Sequence, residues 1–326
     1  MAAVSAARGP AMRNLEVRIR SIAASAWDLA VVPGDIPQLT NGGILCKARW
    51  LTADPVRAAF PPPRPALPGE VVPALGVCEV IASRNDVFNV GQLVVLECGL
   101  SEMCVSDGRG VWALHPGQSP VSTALGLLGP PGMTAYFALT DVAAVRGGDT
   151  VLVGAASSVP GAMAGQVAVL KGARAIGIED TSEKCVWAVR HGGFSACINR
   201  RSESLNDRLW QLAPQGFDIF FDTTDEWLGV LLRGQHLAPG ARVVSCTRPG
   251  SGPQGRTPGQ GGIRIAYLDP AGYQVRRGAF LKDAIAWYGA GRLTCREDIA
   301  EGIERAPEQL GRALRGECFG NPLIKL

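Results

Sequence analysis

The chain has 326 residues, of which 47% are hydrophobic and 19% charged, with 41 Gly, 23 Pro and a formal net charge of +3. This is a globular, turn-rich composition with enough apolar residues for one large or two medium cores. The small charge and the lack of a Lys/Arg block exclude a nucleic-acid footprint, and no apolar run is long enough to span a bilayer.

Nine cysteines (Cys46, Cys78, Cys98, Cys104, Cys185, Cys197, Cys246, Cys295 and Cys318) lie scattered in hydrophobic segments, with no C-x-x-C among them. They read as reduced, mostly buried thiols, and with no secretory signal they point to the cytoplasm. His115, His191 and His236 sit at no ligand spacing, so no metal is expected.

The start, MAAVSAARGPAMRNLEVRIR, lacks the apolar core of a signal peptide and reads as a ragged lead into the first strand, with Met12 an alternative initiator. Strands are predicted at Leu15–Ile19, at Ile44–Trp50 after the Asn41-Gly42-Gly43 turn, at Val77–Ala82 and at Gln92–Glu97. Turn signals about every ten residues suggest an antiparallel barrel or sandwich. Pro61–Pro68, PPPRPALP, reads as a stiff loop or a polyproline ligand.

From Ser119 helices and strands alternate. Helices are predicted at Gly132–Leu139, Ala162–Lys171, Ser182–His191, Ser204–Leu212 and Glu226–Arg233. Strands are predicted at Val151–Val153, Arg174–Ile178, Ala196–Ile198, Ile219–Asp222 and Arg242–Ser245. That alternation predicts a parallel, doubly wound sheet. Thr247–Gly262, TRPGSGPQGRTPGQGG, is expected to be a mobile loop near a site mouth. Helices at Leu281–Gly289 and Ile299–Gly316 and a strand at Leu323–Leu326 complete the prediction.

The run Val151–Gly165, VLVGAASSVPGAMAG, carries most of the chemistry. A hydrophobic strand enters a turn of small residues and a helix opens, the layout in which a diphosphate rests on a helix N-terminus. Such a turn ordinarily uses glycines, but only Gly154 and Gly161 stand here among Ala155, Ser158 and Pro160.

Several further segments, taken with this run, resemble the zinc-independent branch of the medium-chain dehydrogenase/reductase superfamily, in particular its leukotriene B4 dehydrogenase, prostaglandin reductase and 2-alkenal reductase group. They are LTNGGILCKARWLTADP (Leu39–Pro55), VSDGRG (Val105–Gly110), LGLLGPPGMTAYFAL (Leu125–Leu139), Val151–Lys184, FDIFFD (Phe217–Asp222), GRLTCREDIAEG (Gly291–Gly302) and Gly316–Leu326. The resemblance implies an α/β architecture: a GroES-like β-barrel domain from residues 1–118 and 286–326, with a Rossmann domain from 119–285 inserted. It implies a homodimer with substrate and nicotinamide meeting in the interdomain cleft, and hydride addition from NADPH to the β-carbon of an α,β-unsaturated carbonyl.

The departures from the family pattern cluster on one ligand. Gly161 survives, but Pro160 removes an amide donor and Ser158 adds a side chain where backbone usually approaches phosphate. Glu179-Asp180 replaces a small neutral pair, about eighteen residues past Gly161, where a carboxylate holds a ribose 2′-hydroxyl; this favours NAD(H). Lys184 matches the family lysine that reads the 2′-phosphate of NADP(H), and Arg200 stands in place of its Tyr. Thr223, Cys246 and Thr247 replace or flank family residues at the nicotinamide end, and Cys318 and Asn321 replace the Asn and Lys of the closing motif.

The expected cofactor set is therefore Val159, Pro160, Gly161, Ala162, Glu179, Lys184, Arg200, Thr223, Cys246 and Thr247. The cofactor is NADP(H) or NAD(H), or none at all. Tyr273 and Arg276 fit the family's Y-x-x-R, making Tyr273 the candidate proton donor. The expected activity is reduction of the carbon–carbon double bond of a small unsaturated carbonyl, such as a specialised-metabolite intermediate. The alternatives are a cofactor-independent cyclase, isomerase or lyase on the same fold, or a non-catalytic binding module.

Overall fold

The computed structural model describes residues 13–23, 26–54, 67–222, 228–245, 262–267 and 270–326. The chain divides into two compact units: one runs to Pro116 and resumes at Asp298–Cys318 and Pro322–Leu326, and the other comprises Gly117–Glu297 with Phe319–Asn321. Among the described residues no helix is long and apolar enough to cross a membrane.

The first unit begins with a hairpin of β1 (Leu15–Ala23) and β2 (Ala26–Pro33). β3 (Ile44–Thr52) then buries Ile44, Cys46 and Ala48 and exposes Lys47 and Arg49, the two-residue period of a strand with one wet face, until an irregularity between Ala48 and Trp50 breaks the alternation before buried Leu51. β4 (Leu75–Ser83), β5 (Leu93–Glu97), β6 (Met103–Ser106) and β7 (Trp112–Ala113) follow. β3 lies between β4 and β6, both antiparallel to it, and β5 links β4 to β7. The interior is filled by Val17, Ile44, Leu51, Val80, Val94 and Leu96.

In the second unit α1 (Pro130–Phe137) is followed by β8 (Thr150–Gly154), α2 (Val159–Leu170), β9 (Arg174–Glu179), α3 (Ser182–Arg190), β10 (Ala196–Asn199) and α4 (Leu205–Leu212). Then come β11 (Phe217–Asp222), α5 (Leu228–Arg233), β12 (Leu237–Ser245), β13 (Arg264–Tyr267) and α6 (Arg277–Gly289). The six strands are parallel, in the order β10-β9-β8-β11-β12-β13. Counted within the unit this is 3-2-1-4-5-6, the arrangement of a two-half nucleotide-binding sheet, and it confirms the doubly wound expectation.

α2 is apolar apart from Gln166 and buries every residue from Gly161 to Ala168, as a helix sunk in a core requires. Three glycines before and within α1 mark close approaches. A Cβ at Gly129 would stand 2.1 Å from the Ala124 carbonyl oxygen, and one at Gly132 would stand 1.9 Å from that of Leu127. At Gly126 it would lie 2.5 Å from Asn321 Nδ2. This is why the GLLGPPG motif carries glycine at every third position.

The chain returns through β14 (Glu297–Glu301), α7 (Ala306–Leu314) and β15 (Asn321–Lys325), and β15 pairs antiparallel with β3. The second unit extends to Glu297, past residue 285, because Leu293 is buried in its core and Trp287, Tyr288 and Cys295 pack against it.

The helix expected over Ile299–Gly316 is instead a strand, a short 3-10 turn and a helix. Gly302 takes a φ of +85°, which a right-handed helix does not allow, and Pro307 sits in the first turn of α7, where its missing N–H costs nothing. β2, β6, β7 and β13 were not expected from the sequence pattern. Most of Pro61–Pro68 and nearly all of Thr247–Gly262 lie outside the described residues.

Replacing Gly132 by Ala drives a methyl against backbone rather than against a yielding side chain. We expect a loss of about 1–3 kcal/mol in urea unfolding, against no loss for Gly278→Ala, where an added Cβ meets nothing within 4 Å.

Candidate functional site

The strand order reverses between β8 and β11, so the crevice beyond their carboxyl ends is where this sheet type takes a ligand. The turn leaving β8 forms that end. Ala155 adopts a left-handed φ of +48°, a strained state for a residue with a Cβ. Ser158 caps α2, its Oγ accepting the Gly161 N–H at 3.1 Å, and Pro160 sits in the first turn. A Cβ at Gly161 would lie 2.1 Å from the Ala155 carbonyl oxygen, so glycine is required for this helix to meet the turn.

Most amides of the turn are committed. Ala156 N–H donates to the Ile178 carbonyl at 3.3 Å and Ser158 N–H to that of Ala155 at 2.9 Å. Ser157 N–H donates to Glu179 Oε1 at 2.5 Å. Pro160 has no N–H, which leaves the Val159 amide as the donor presented by the helix start. Val159, Pro160, Gly161 and Ala162 thus form one first turn whose positive end faces the crevice but offers few N–H groups.

Glu179 ends β9, is 6% exposed, and its carboxylate is turned onto the Ser157 amide. Burial raises its pKa, and the Ser157 hydrogen bonds and the charge of Lys184 only partly oppose this. Asp180 is held by two cations: Lys184 Nζ at 3.1 Å and Arg201 Nη2 at 3.4 Å. Thr181 caps α3 by accepting the Lys184 N–H, which fixes that lysine in the first turn. Arg200 follows β10, and its N–H donates to the Glu179 carbonyl at 2.9 Å. Lys184 and Arg201 thus gather at Asp180, while the Glu179 carboxylate is turned inward and Arg200 is joined to the end of β9 through its backbone. Such a group can take a phosphate monoester. Arg201 was not among the expected residues; its signal was the paired arginines directly after a short strand.

Thr223, Cys246 and Thr247 lie outside the described residues. Tyr273 stacks on Phe137 with centroids 4.6 Å apart, and the Arg276 guanidinium lies 4.6 Å from the Phe137 centroid and ion-pairs with Asp141. Its ring is therefore fixed against the helix that precedes β8.

A cavity of about 170 Å³ lies in the second unit, lined by Pro120, Thr123, Leu127, Tyr288, Cys295, Glu297 and Asn321. Ser122 Oγ donates to Glu297 Oε2 at 2.9 Å, and burial raises the Glu297 pKa. Asn321 is 6% exposed, and its Nδ2 has no hydrogen-bond partner among the described residues. Gly126 abuts both this amide and Val159, a Cβ there reaching 2.5 Å and 3.7 Å from them, so the cavity borders the start of α2. The sequence named Asn321 only as a replaced lysine and did not reveal the cavity.

A carboxyl group whose folded pKa is raised stays protonated after the unfolded chain has ionised. The folded state then loses stability as pH rises above 4.5 towards the raised value. Glu179→Gln keeps an acceptor for Ser157 and has no charge to bury. The stability of this variant relative to the native chain should therefore grow between pH 4.5 and 7 in denaturant titrations, whereas a constant difference would remove burial of the charge as the cause.

Residues 19–114 match the family model described as the N-terminal domain of oxidoreductase. Prostaglandin reductase 1 from Sus scrofa is 33% identical over 310 residues, covering 89% of this chain and 92% of the relative. The NADPH-dependent curcumin reductase of Escherichia coli is 28% identical, with 90% of each chain covered. The crystal structure of CurA from Vibrio vulnificus in complex with NADPH superimposes with a TM-score of 0.85 at 29% identity, covering 95% of this chain and 98% of that one. The parallel 3-2-1-4-5-6 sheet, the strand-rich first unit and this similarity along nearly the whole length agree: the chain belongs to the zinc-independent medium-chain dehydrogenase/reductase family and is an enzyme of its reductase type.

Proposed function

We propose that this enzyme is an NADPH-dependent reductase of the carbon–carbon double bond of a small α,β-unsaturated carbonyl, with a specialised metabolite as substrate. The observation that carries this reading is the cation group around Asp180. A carboxylate left open at the end of β9 would repel a 2′-phosphate. Here Asp180 is matched by Lys184 and Arg201, Glu179 is spent on the Ser157 amide, and Arg200 follows β10, next to Arg201 in sequence. The residues present fit the cofactor: Lys184, Arg200 and Arg201 would hold the 2′-phosphate, and the Val159 amide with the α2 N-terminus would meet the diphosphate.

When bound, NADPH supplies the hydride for the β-carbon. The protein has to orient the carbonyl and provide a proton. Asn321 Nδ2 is a buried donor available to a carbonyl oxygen, in a cavity that borders α2. Tyr273 Oη is the proposed proton source, on a ring held by Phe137 and Arg276.

Titration of the purified chain with NADPH and NADH, followed by nicotinamide fluorescence, tests the cofactor. NADPH should bind at least about tenfold more tightly than NADH, and Lys184→Ala should erase most of that ratio while leaving NADH unchanged. Absence of binding by either at millimolar concentration would exclude the reductase and favour the cyclase, isomerase or lyase reading.

Tyr273→Phe keeps the stack and removes the hydroxyl. With NADPH affinity unchanged, turnover on enone substrates should fall about a hundredfold; unchanged turnover would leave Tyr273 a packing residue.

A further inference from the structure

Four cysteines far apart in sequence meet inside the first unit. Cys46 on β3 lies directly across the antiparallel ladder from Cys104 on β6. Cys78 comes from β4, and Cys98 is the residue after β5. The Sγ atoms of Cys78, Cys98 and Cys104 all lie within 4.8 Å of one another. Cys46, Cys78 and Cys104 are buried and Cys98 is half-buried.

The neighbouring backbone is shaped around these sulfurs. Gly76 shares its strand face with Cys78, two residues on, and a Cβ there would stand 2.4 Å from Cys98 Sγ and 3.1 Å from Cys78 Sγ. Any other residue at position 76 would displace the Cys98 sulfur. Burial alone is what small apolar thiols do in a core. Their convergence from three strands and the end of a fourth, with a glycine leaving them room, calls for more.

We propose that Cys78, Cys98 and Cys104, with Cys46 as the fourth donor, form a structural site for one thiophilic divalent cation of the zinc class. A tetrahedral site with Zn–S bonds of about 2.3 Å holds its sulfurs about 3.8 Å apart. The Sγ atoms of Cys78, Cys98 and Cys104 reach that by shifts of up to about 1 Å, and Cys46, opposite Cys104 on the ladder, would turn in to complete the set. Each ligating thiol gives its proton to solvent and becomes a thiolate, so binding releases protons. With all four positions taken by sulfur, no open position is left for water or substrate. The cation would fasten β3, β4 and β6 to the end of β5 and take no part in reduction.

The test uses the full reduced chain and Cd²⁺ as probe. One Cd²⁺ per chain should bind, seen by thiolate-to-metal absorption in the ultraviolet, and Zn²⁺ should displace it. Alkylation followed by mass spectrometry should show Cys46, Cys78, Cys98 and Cys104 protected by the metal, with Cys185 and Cys197 unaffected. Cys98→Ser alters the half-buried donor and should weaken Cd²⁺ binding about a hundredfold and abolish any rise in melting temperature with Zn²⁺. If that variant does not fold, the protection pattern of the native chain decides. Absence of saturable binding, protection of other cysteines, or a Cys46–Cys104 disulfide with no metal uptake after reduction would each overturn the proposal.

Discussion

The contact between the Glu179 carboxylate and the Ser157 amide governs the rest of the nucleotide-facing end. It ties the end of β9 to the turn after β8, and it does so with a charge that burial penalises. That contact supports a turn in which Ala155 is held left-handed and glycine is mostly absent. It also removes from the crevice the carboxylate whose place in the sequence suggested a grip on a ribose. With Glu179 turned inward, Asp180 alone faces Lys184 and Arg201, and the local charge becomes positive.

Magnitudes decide how the site balances. Each neutral amide lost from a diphosphate cradle weakens binding by about 0.5–1.5 kcal/mol, and a hydrogen bond to a charged group contributes about 1.5–3 kcal/mol. The turn keeps one amide at the helix start and lacks those of Pro160, Ser157 and Gly161. In the proposed reading, Lys184 and Arg201 on a 2′-phosphate would offset that loss. Selectivity would then rest on the adenosine end, where a cofactor without the extra phosphate gains nothing. The packing beneath is unyielding: Gly161 and Gly132 each bring a helix against backbone carbonyls, so the turn has little room to reopen.

The βαβ core was legible because strand and helix periods are strong there and small residues mark the turn. Position was legible at Glu179, but direction was not: spacing places a carboxylate at the strand end and says nothing about whether it faces ligand or backbone. The last helix was misplaced because apolar residues continue at helical spacing through Gly302 and Pro307, where the backbone cannot. The short strands β6 and β7 carry too few residues for a period to show. The cysteine group was invisible for a different reason. Its members stand at 46, 78, 98 and 104, and only the register of four strands brings them together.

The central claim is that the end of β9 reads a phosphate through cations that outnumber its one outward carboxylate. Calorimetric titration with adenosine 2′,5′-bisphosphate against adenosine 5′-phosphate isolates that end from the nicotinamide. The bisphosphate should bind at least about tenfold more tightly, with an advantage that shrinks in high salt. Equal affinity, or a preference for the monophosphate, would mean that the acids still dominate and would contradict the account.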